Sequence, residues 1–242
     1  MKSENGTHQN TIQKWRDVRQ DIRQTALQAG RDPENIQLAV ITKGKSAGII
    51  KDLVEAGQDV IGESYLKEAL FKMDLLSAFD IEWHMVGHIQ SGKATQVAFQ
   101  FDCVHSVDRV ELAELLQQGA SEAGKKLPVF LECNVSGETT KHGFPAWKEE
   151  NWEELKNDIQ PILEMDNLMI RGLMTMAPYG EDPETARPYF QRLKELLGFL
   201  NQGFPQAGFR ELSMGMSADY RIAIEEGATY LRIGSKIVGP RR

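Results

Sequence analysis

Short apolar runs and helical patterns alternate along this chain. Runs of β-branched and aliphatic residues bounded by turn residues predict buried strands, and apolar residues at helical spacing predict amphipathic helices. The predicted strands span residues 37–42, 59–62, 82–87, 103–107, 128–135, 169–176, 211–216 and 230–234. The predicted helices between them span residues 47–56, 66–76, 93–99, 110–123, 152–165, 184–200 and 220–225.

The regular spacing of these elements predicts the fold class. Successive strands begin roughly 28 residues apart, which is the length of a βαβ unit with parallel strands. Eight such units in 242 residues predict an α/β fold, a single-domain (β/α)8 barrel. A doubly wound open sheet is the alternative, but it would need an unusually wide sheet. Residues 11–30 predict an extra N-terminal helix that Gly30 ends, after a disordered polar leader at 1–10, so that 11–242 form one domain.

Composition narrows the function classes. The net charge is −7 and the pI is about 5.4, without a strongly basic segment, so nucleic acid and anionic membranes are not expected as partners. The start of the chain lacks the apolar core of a signal peptide, and no apolar stretch is long enough to span a bilayer. Cys103 and Cys133 both lie in apolar runs, so we expect reduced core thiols rather than a disulfide. These features predict a cytoplasmic protein, and we expect a monomer.

Lys43 is the first candidate for chemistry. It follows the first predicted strand, just before the turn Gly44-Lys45-Ser46, and barrels carry their active sites at such strand ends. Partial burial lowers the pKa of a lysine and frees its amine to form a Schiff base with an aldehyde. The alternative is a strand-end lysine that only extends its ammonium group into solvent.

The last two predicted strands end in a candidate phosphate site. We predict Ser217 as the N-cap of helix 220–225, where unpaired N–H groups would attract an anion, although simple capping is the alternative. Gly234 and Ser235 follow the eighth strand, and barrels commonly bind phosphate with the loops after strands seven and eight.

Arg232 completes the set. It lies two residues before Gly234 and therefore on the same face of its strand, and a buried guanidinium needs a partner. A ligand ring nitrogen or carboxylate could supply it, and a salt bridge to Glu132 is the alternative. A lysine for an aldehyde, a phosphate site and an arginine for a ring nitrogen together describe pyridoxal 5′-phosphate (PLP). Because arginine keeps its proton, the pyridine nitrogen would stay unprotonated and the ring would be a weak electron sink.

Several motifs strengthen this interpretation. They include Trp-His-x-x-Gly-His at 83–88 and Ser-Met-Gly-Met-Ser-x-Asp at 213–219. Further matching segments are 40–43, 62–63, 105–108, 134–137, 172–178 and 232–234. With these segments the chain closely resembles the pyridoxal phosphate homeostasis proteins, the YggS/PROSC family, from about residue 11 onward. The resemblance implies a barrel like the N-terminal domain of alanine racemase, without that enzyme's second domain.

The resemblance also implies site residues. Lys43 would hold PLP as an aldimine, with Arg232 near the ring nitrogen. The phosphate would be bound by Ser217, Gly234 and Ser235, and further residues are expected near the cofactor: Ser64, Asn134 and Met214. Some positions depart from the family pattern: Ser64 replaces asparagine, Gly44 and Ser46 replace threonine and proline, and Ser235 replaces a frequent threonine.

Other conspicuous residues receive structural interpretations. His84 and His88 would lie far apart on one strand face, so hydrogen bonds to loop carbonyls are favoured over metal binding or general-base catalysis, and we expect no metal. Met174, Met176, Met214 and Met216 are interpreted as packing near the ligand. Tyr65 and Tyr179 receive no role.

The resulting functional hypothesis is a carrier. It would hold PLP as a lysine aldimine and buffer it or deliver it to PLP-dependent apoenzymes, without catalytic turnover. The alternative is an amino-acid racemase, which needs a second base, normally a tyrosine of an additional domain; the chain stops at Arg242, which favours the carrier. A phosphosugar aldolase that uses Lys43 would not explain Arg232.

Overall fold

Eight parallel strands close into a barrel in the computed structural model, which describes residues 2–240, with side chains from residue 9 onward. The strands are β1 Gln37–Ile41, β2 Val60–Glu63, β3 Glu82–Met85, β4 Cys103–Val107, β5 Leu127–Asn134, β7 Leu168–Met174, β8 Glu211–Ser213 and β9 Tyr230–Ile233. A further short strand, β6 Phe144–Pro145, pairs only with the end of β5. Pairing of β1 with both β2 and β9 closes the barrel. The predicted (β/α)8 fold is thus confirmed.

Helices surround the barrel. They are α1 Lys2–Gln28, α2 Ala47–Glu55, α3 Leu66–Leu75, α4 Ala94–Gln100, α5 Val110–Glu122, α6 Trp152–Leu163, α7 Arg187–Gly203, α8 Tyr220–Glu225 and α9 Ser235–Val238. Every predicted strand and helix is present, with small shifts at the ends. The prediction for α7 was three residues early, because Asp182 accepts a hydrogen bond from the Glu184 N–H and begins a 3-10 turn at Pro183–Ala186. The sequence pattern missed β6 and α9.

The N-terminal prediction needs a correction. We expected a disordered leader at residues 1–10, but α1 begins at Lys2 and continues to Gln28. Polar composition alone does not exclude a helix, since glutamine, lysine and glutamate have good helix propensity. The described part of α1 packs against α8 and α9. Asp21 there accepts a hydrogen bond from the Tyr220 hydroxyl and two from the Arg221 guanidinium, the latter at 2.6 and 2.8 Å.

Side-chain alternation along the strands separates two apolar regions. Outward-facing residues pack with the helices in the main core, and inward-facing residues form smaller clusters inside the barrel. One inner cluster contains Cys103, Phe130, Met174 and Tyr230. Cys103 and Cys133 are buried and unpaired, as predicted, and burial raises the pKa of both thiols. Among the described residues, no helix has both the length and the apolar character needed to cross a membrane.

Candidate functional site

A cavity of about 400 Å³ opens at the carboxyl end of the barrel. Its walls combine apolar side chains, including Ile41, Val86, Met176 and Met216, with a small set of polar residues. Six of the eight predicted site residues line this cavity: Lys43, Ser64, Ser217, Arg232, Gly234 and Ser235. Parallel strands that end at one face of a barrel bring these distant positions together.

Hydrogen bonds hold the backbone on both sides of Lys43. The Thr42 hydroxyl donates to Glu63 at 2.6 Å, and the Gly44 N–H donates to Glu68 at 2.6 Å. Lys72 joins the two carboxylates, because its ammonium group donates to Glu63 at 2.6 Å, to Glu68 at 2.5 Å and to the Thr42 carbonyl at 2.9 Å. We call Glu63, Glu68 and Lys72 the lysine clamp.

Because the lysine clamp is buried, its charges would lower the stability of the fold unless they remained paired. The side chains of Lys72 and Glu63 are 3% and 0% exposed. Burial raises the pKa of Glu63, although hydrogen bonds from Lys72 and Thr42 act in the opposite direction. In the sequence Glu63 stood out only as part of segment 62–63, and Glu68 and Lys72 were not predicted to belong to the site. The available signal was their spacing of four residues in a predicted helix.

The two loops of the predicted phosphate site lie side by side, but Ser217 has a different local role from the predicted one. It does not cap α8, because Asp219 precedes that helix and accepts a hydrogen bond from the Met216 N–H at 2.6 Å. The Ser217 hydroxyl instead accepts from the Lys236 N–H at 3.3 Å, which links the loop after β8 to the start of α9. Ser235 begins α9, so both serines reach the same end of the cavity.

Glycines give this end of the cavity its shape. Gly215 has a φ of +94°, and a Cβ there would lie 2.6 Å from the Ala223 Cβ, so the tight turn after β8 requires glycine. At Gly234 a Cβ would lie 3.1 Å from the Ile41 carbonyl oxygen. The absence of a side chain therefore allows close packing of β9 on β1 beside the cavity.

Arg232 forms a buried cationic part of the cavity wall. It is 5% exposed and donates hydrogen bonds to the Ser213 hydroxyl at 2.6 Å and to the Thr175 carbonyl at 2.8 Å. The alternative salt bridge to Glu132 is absent among the described residues. Burial lowers the pKa of Arg232 to about 10, although Glu132 and Asp219 favour its charged form. Burial and the charge of Asp108 raise the pKa of Glu132 to about 7.

Two predicted site residues lie elsewhere. The Asn134 side chain organises its own loop, accepting from the N–H groups of Ser136 and Gly137 and donating to the Glu138 carbonyl. Met214 is fully buried in the outer core, because it follows the inward-facing Ser213 and points to the opposite side. Neither lines the cavity among the residues described there.

The histidines also have partners other than the predicted loop carbonyls. His84 contacts His105 and Glu82, each at 2.8 Å, inside the barrel. His88 contacts Asp108 at 2.9 Å and stacks on His142 with ring centroids 3.8 Å apart. Glu82 lies two residues before His84 on the same face of β3, whereas His105, Asp108 and His142 come from other parts of the chain that a strand pattern could not reveal.

Comparison with known proteins identifies the family. A family model described as alanine racemase, N-terminal domain, matches residues 12–242. Pyridoxal phosphate homeostasis proteins of Aquifex aeolicus and Pseudomonas aeruginosa are 36% and 39% identical to this chain. The alignments cover 96% and 91% of this chain and 99% and 91% of the relatives. The chain belongs to the pyridoxal phosphate homeostasis protein family.

A solved structure agrees with this family assignment. PipY of Synechococcus elongatus, a structure with PLP bound, is 30% identical and superimposes with a TM-score of 0.80. The alignment covers 95% of this chain and all of PipY. The cavity of the present chain contains the amine of Lys43, the hydroxyl groups of Ser217 and Ser235 at one end and the buried guanidinium of Arg232.

Proposed function

We propose that this protein binds PLP in the cavity at the carboxyl end of the barrel, covalently through Lys43. It would act in PLP homeostasis without catalysing reactions of amino acids. One observation carries the proposal. A single cavity brings together a strand-end lysine, two serines on adjoining loops and a buried arginine, which match the aldehyde, phosphate and ring nitrogen of PLP.

The donor set fits this cofactor. When bound, PLP supplies an electrophilic aldehyde carbon and a ring that can withdraw electrons from a group attached to that carbon. The Nζ of Lys43 would serve as the nucleophile. The hydroxyl groups of Ser217 and Ser235 would donate to phosphate oxygens, and glycine at 234 would leave room at the wall. Apolar side chains at Ile41, Val86 and Met176 would exclude water from the ring.

Arg232 favours a carrier over a racemase. A guanidinium has only donors, so it can hydrogen-bond a pyridine nitrogen only while that nitrogen is unprotonated. Among the described residues its two hydrogen bonds go to neutral acceptors, so no carboxylate is bonded directly to the guanidinium that would face the ring nitrogen. An unprotonated ring stabilises a carbanion poorly, which suits storage of the cofactor.

The biological setting is part of the same proposal. The protein would buffer PLP or deliver it to PLP-dependent apoenzymes, and it would act in the cytoplasm. Two buried thiols that remain unpaired support a reducing compartment. The expected monomer stays a prediction.

Reduction of the protein with bound PLP tests the proposal. Borohydride treatment followed by peptide mapping should place one stable PLP adduct on Lys43. Lys43→Ala should lose this adduct and the visible absorption band, whereas Lys45→Ala should retain both. Lys45 is a matched control because it lines the same cavity, while its ammonium group donates to the Pro240 carbonyl at 2.7 Å. An adduct confined to Lys45 or scattered over surface lysines would contradict the proposal.

A further inference from the structure

A continuous chain of hydrogen-bonded side chains crosses the inside of the barrel. It begins at Arg232, whose Nη1 donates to the Ser213 hydroxyl at 2.6 Å. Ser213 Oγ lies 2.7 Å from His105 Nδ1, and His105 Nε2 lies 2.8 Å from His84 Nδ1. The chain ends where His84 Nε2 meets Glu82 Oε1 at 2.8 Å. Because Glu82 begins β3, the chain connects the cavity with the opposite end of the barrel. We call these five residues the barrel chain.

Only one arrangement of protons satisfies every contact with an ionised Glu82 and neutral histidines. Arginine can only donate, so Ser213 accepts from Arg232 and gives its own proton to His105 Nδ1. His105 then donates from Nε2 to His84 Nδ1, and His84 donates from Nε2 to Glu82. In the reverse order, Ser213 would accept twice and its own proton would lack an acceptor within the barrel chain. His84 would also meet the carboxylate without a proton between them.

Burial favours a neutral His105 in the barrel chain. Ser213, His105 and His84 are completely buried, whereas the Glu82 side chain is 44% exposed. Burial lowers the pKa of His105 well below its usual value, and the nearby charges of Arg232 and Arg171 add to this effect. A hydrogen bond from His84 lowers the pKa of Glu82. The negative end of the barrel chain therefore lies near solvent, and the cation lies at the cavity.

A metal site would use the same histidines differently. Donor atoms of His84, Cys103 and His105 lie within 4.8 Å of one another. However, His84 Nδ1 and His105 Nε2 lie 2.8 Å apart and share a proton between them. A metal bound there would instead require a free lone pair on each of these two nitrogens. The other two nitrogens already face Ser213 and Glu82, so hydrogen bonding accounts for all four.

We propose that Ser213, His105 and His84 are positioning residues for Arg232. Through the ordered barrel chain they would hold the guanidinium in one orientation at the cavity wall, as a donor toward the ring of an aromatic ligand. Nη2 is fixed in addition by the Thr175 carbonyl. The counter-charge at Glu82 lies four hydrogen bonds away, so the cation stays unneutralised by direct contact. The effect on cofactor binding rests on the proposed PLP function, whereas the proton order belongs to the protein alone.

Histidine tautomers provide the first test, on the protein without added cofactor. Long-range proton–nitrogen NMR spectra should show His84 and His105 neutral, each with its proton on Nε2, with assignments from His84→Gln and His105→Gln variants. Ser213→Ala should change the His105 signals, and Glu82→Ala should change those of His84. The second variant alters an exposed end of the barrel chain, so it remains informative if Ser213→Ala fails to fold. A proton on Nδ1 of either ring, or a charged ring, would overturn the proposal.

PLP affinity provides the second test. Ser213→Ala should weaken binding about tenfold, because a hydrogen bond to a charged group is lost, and should shift the absorption band of the bound cofactor. Cys103→Ala is the matched control, since it removes one buried atom beside the two histidines but takes away none of the hydrogen bonds described for the barrel chain. It should leave both the affinity and the band unchanged. Equal affinities and equal bands in both variants would refute the positioning role while leaving PLP binding intact.

The two tests separate the two proposals. If the wild-type protein fails to bind PLP, the proposed function fails, and the tautomers still decide whether the barrel chain has the stated order. If the wild-type protein binds PLP and the tautomers differ from those stated, only the barrel chain is refuted.

Discussion

At the scale of single residues, the surroundings of Lys43 matter more than its place at a strand end. Many barrel strands end in a polar residue, but here the neighbours Thr42 and Gly44 are both held by the lysine clamp. Buried ion pairs contribute little stability compared with apolar residues of similar size, so their presence calls for another reason. A precisely placed backbone at Lys43, the residue proposed to bind PLP, provides that reason.

Lys72→Met tests the lysine clamp. Removing the ammonium leaves Glu63 buried beside a second carboxylate, so the free energy of unfolding should fall by about 3 kcal/mol. Covalent attachment of PLP to Lys43 should also become slower. The deficit in stability should shrink as the pH falls, since a buried carboxyl without its cation gains a proton more readily when folded than when unfolded. Denaturant unfolding at several pH values and stopped-flow absorbance measure these effects.

Lys51→Met is the control for this variant. Lys51 pairs with Glu55 at 3.7 Å at the same helical spacing, but both side chains are about half exposed. Its loss should change the free energy of unfolding by less than about 0.5 kcal/mol. Equal effects of the two substitutions would contradict a special role of the lysine clamp.

At the scale of elements, α1 contacts the part of the barrel that contains the predicted phosphate site. It packs against α8 and α9, and α9 begins at Ser235. Asp21 anchors the helix through Tyr220 and Arg221. Although burial alone would raise it, the pKa of Asp21 lies below its usual value because both partners hydrogen-bond the carboxylate. The extra helix therefore supports one edge of the candidate site.

Asp21→Ala should weaken this support. The free energy of unfolding should fall by about 1–2 kcal/mol near neutral pH, from the loss of hydrogen bonds to a partly exposed carboxylate. Because the folded-state pKa is lowered, the contribution of Asp21 is present above its unfolded pKa and is lost as the pH falls through the folded value. Wild type and variant should thus converge in acid, and the variant should bind PLP more weakly.

Asp17→Ala provides the comparison on the same helix. Asp17 accepts only a local hydrogen bond from Gln13 at 2.8 Å among the described residues, so its replacement should affect stability little and PLP affinity not at all. A pH-independent difference between Asp21→Ala and wild type would argue against the anchoring role.

At the scale of the whole molecule, closure of the barrel determines what its interior can do. Apolar clusters occupy part of the interior, while the barrel chain and the cavity occupy the region next to them. Arg232 belongs to both the barrel chain and the cavity wall. Under the proposed function, the barrel as a whole would present a fixed cation to the ring of PLP, which would favour binding over carbanion chemistry.

The protein loaded with PLP should show no enzymatic turnover. Deuterium exchange at the α-carbon, measured by NMR across a panel of amino acids, should not exceed that of free PLP at the same concentration, because the ring nitrogen stays unprotonated. Exchange with inversion that disappears in Lys43→Ala would instead establish a racemase. Tyr179, which lines the cavity and is 92% exposed, would then be the first candidate for the opposing base.

Local patterns in the sequence determined the repeated strands and helices, the strand-end position of Lys43 and the glycine and serine residues of the last two loops. These features follow from the backbone periods of helices and strands, which short segments reveal. The local turn in which Asn134 binds Ser136, Gly137 and Glu138 also lies within a short segment. Only the tertiary structure decided that Met214 faces the outer core and that Ser217 contacts the start of α9 instead of capping α8. It alone also joined Glu63 to the Glu68–Lys72 pair and revealed the barrel chain, in which His105 and Ser213 meet across 108 positions of sequence. Such partners depend on the register in which the strands close, and no short segment of the chain contains that information.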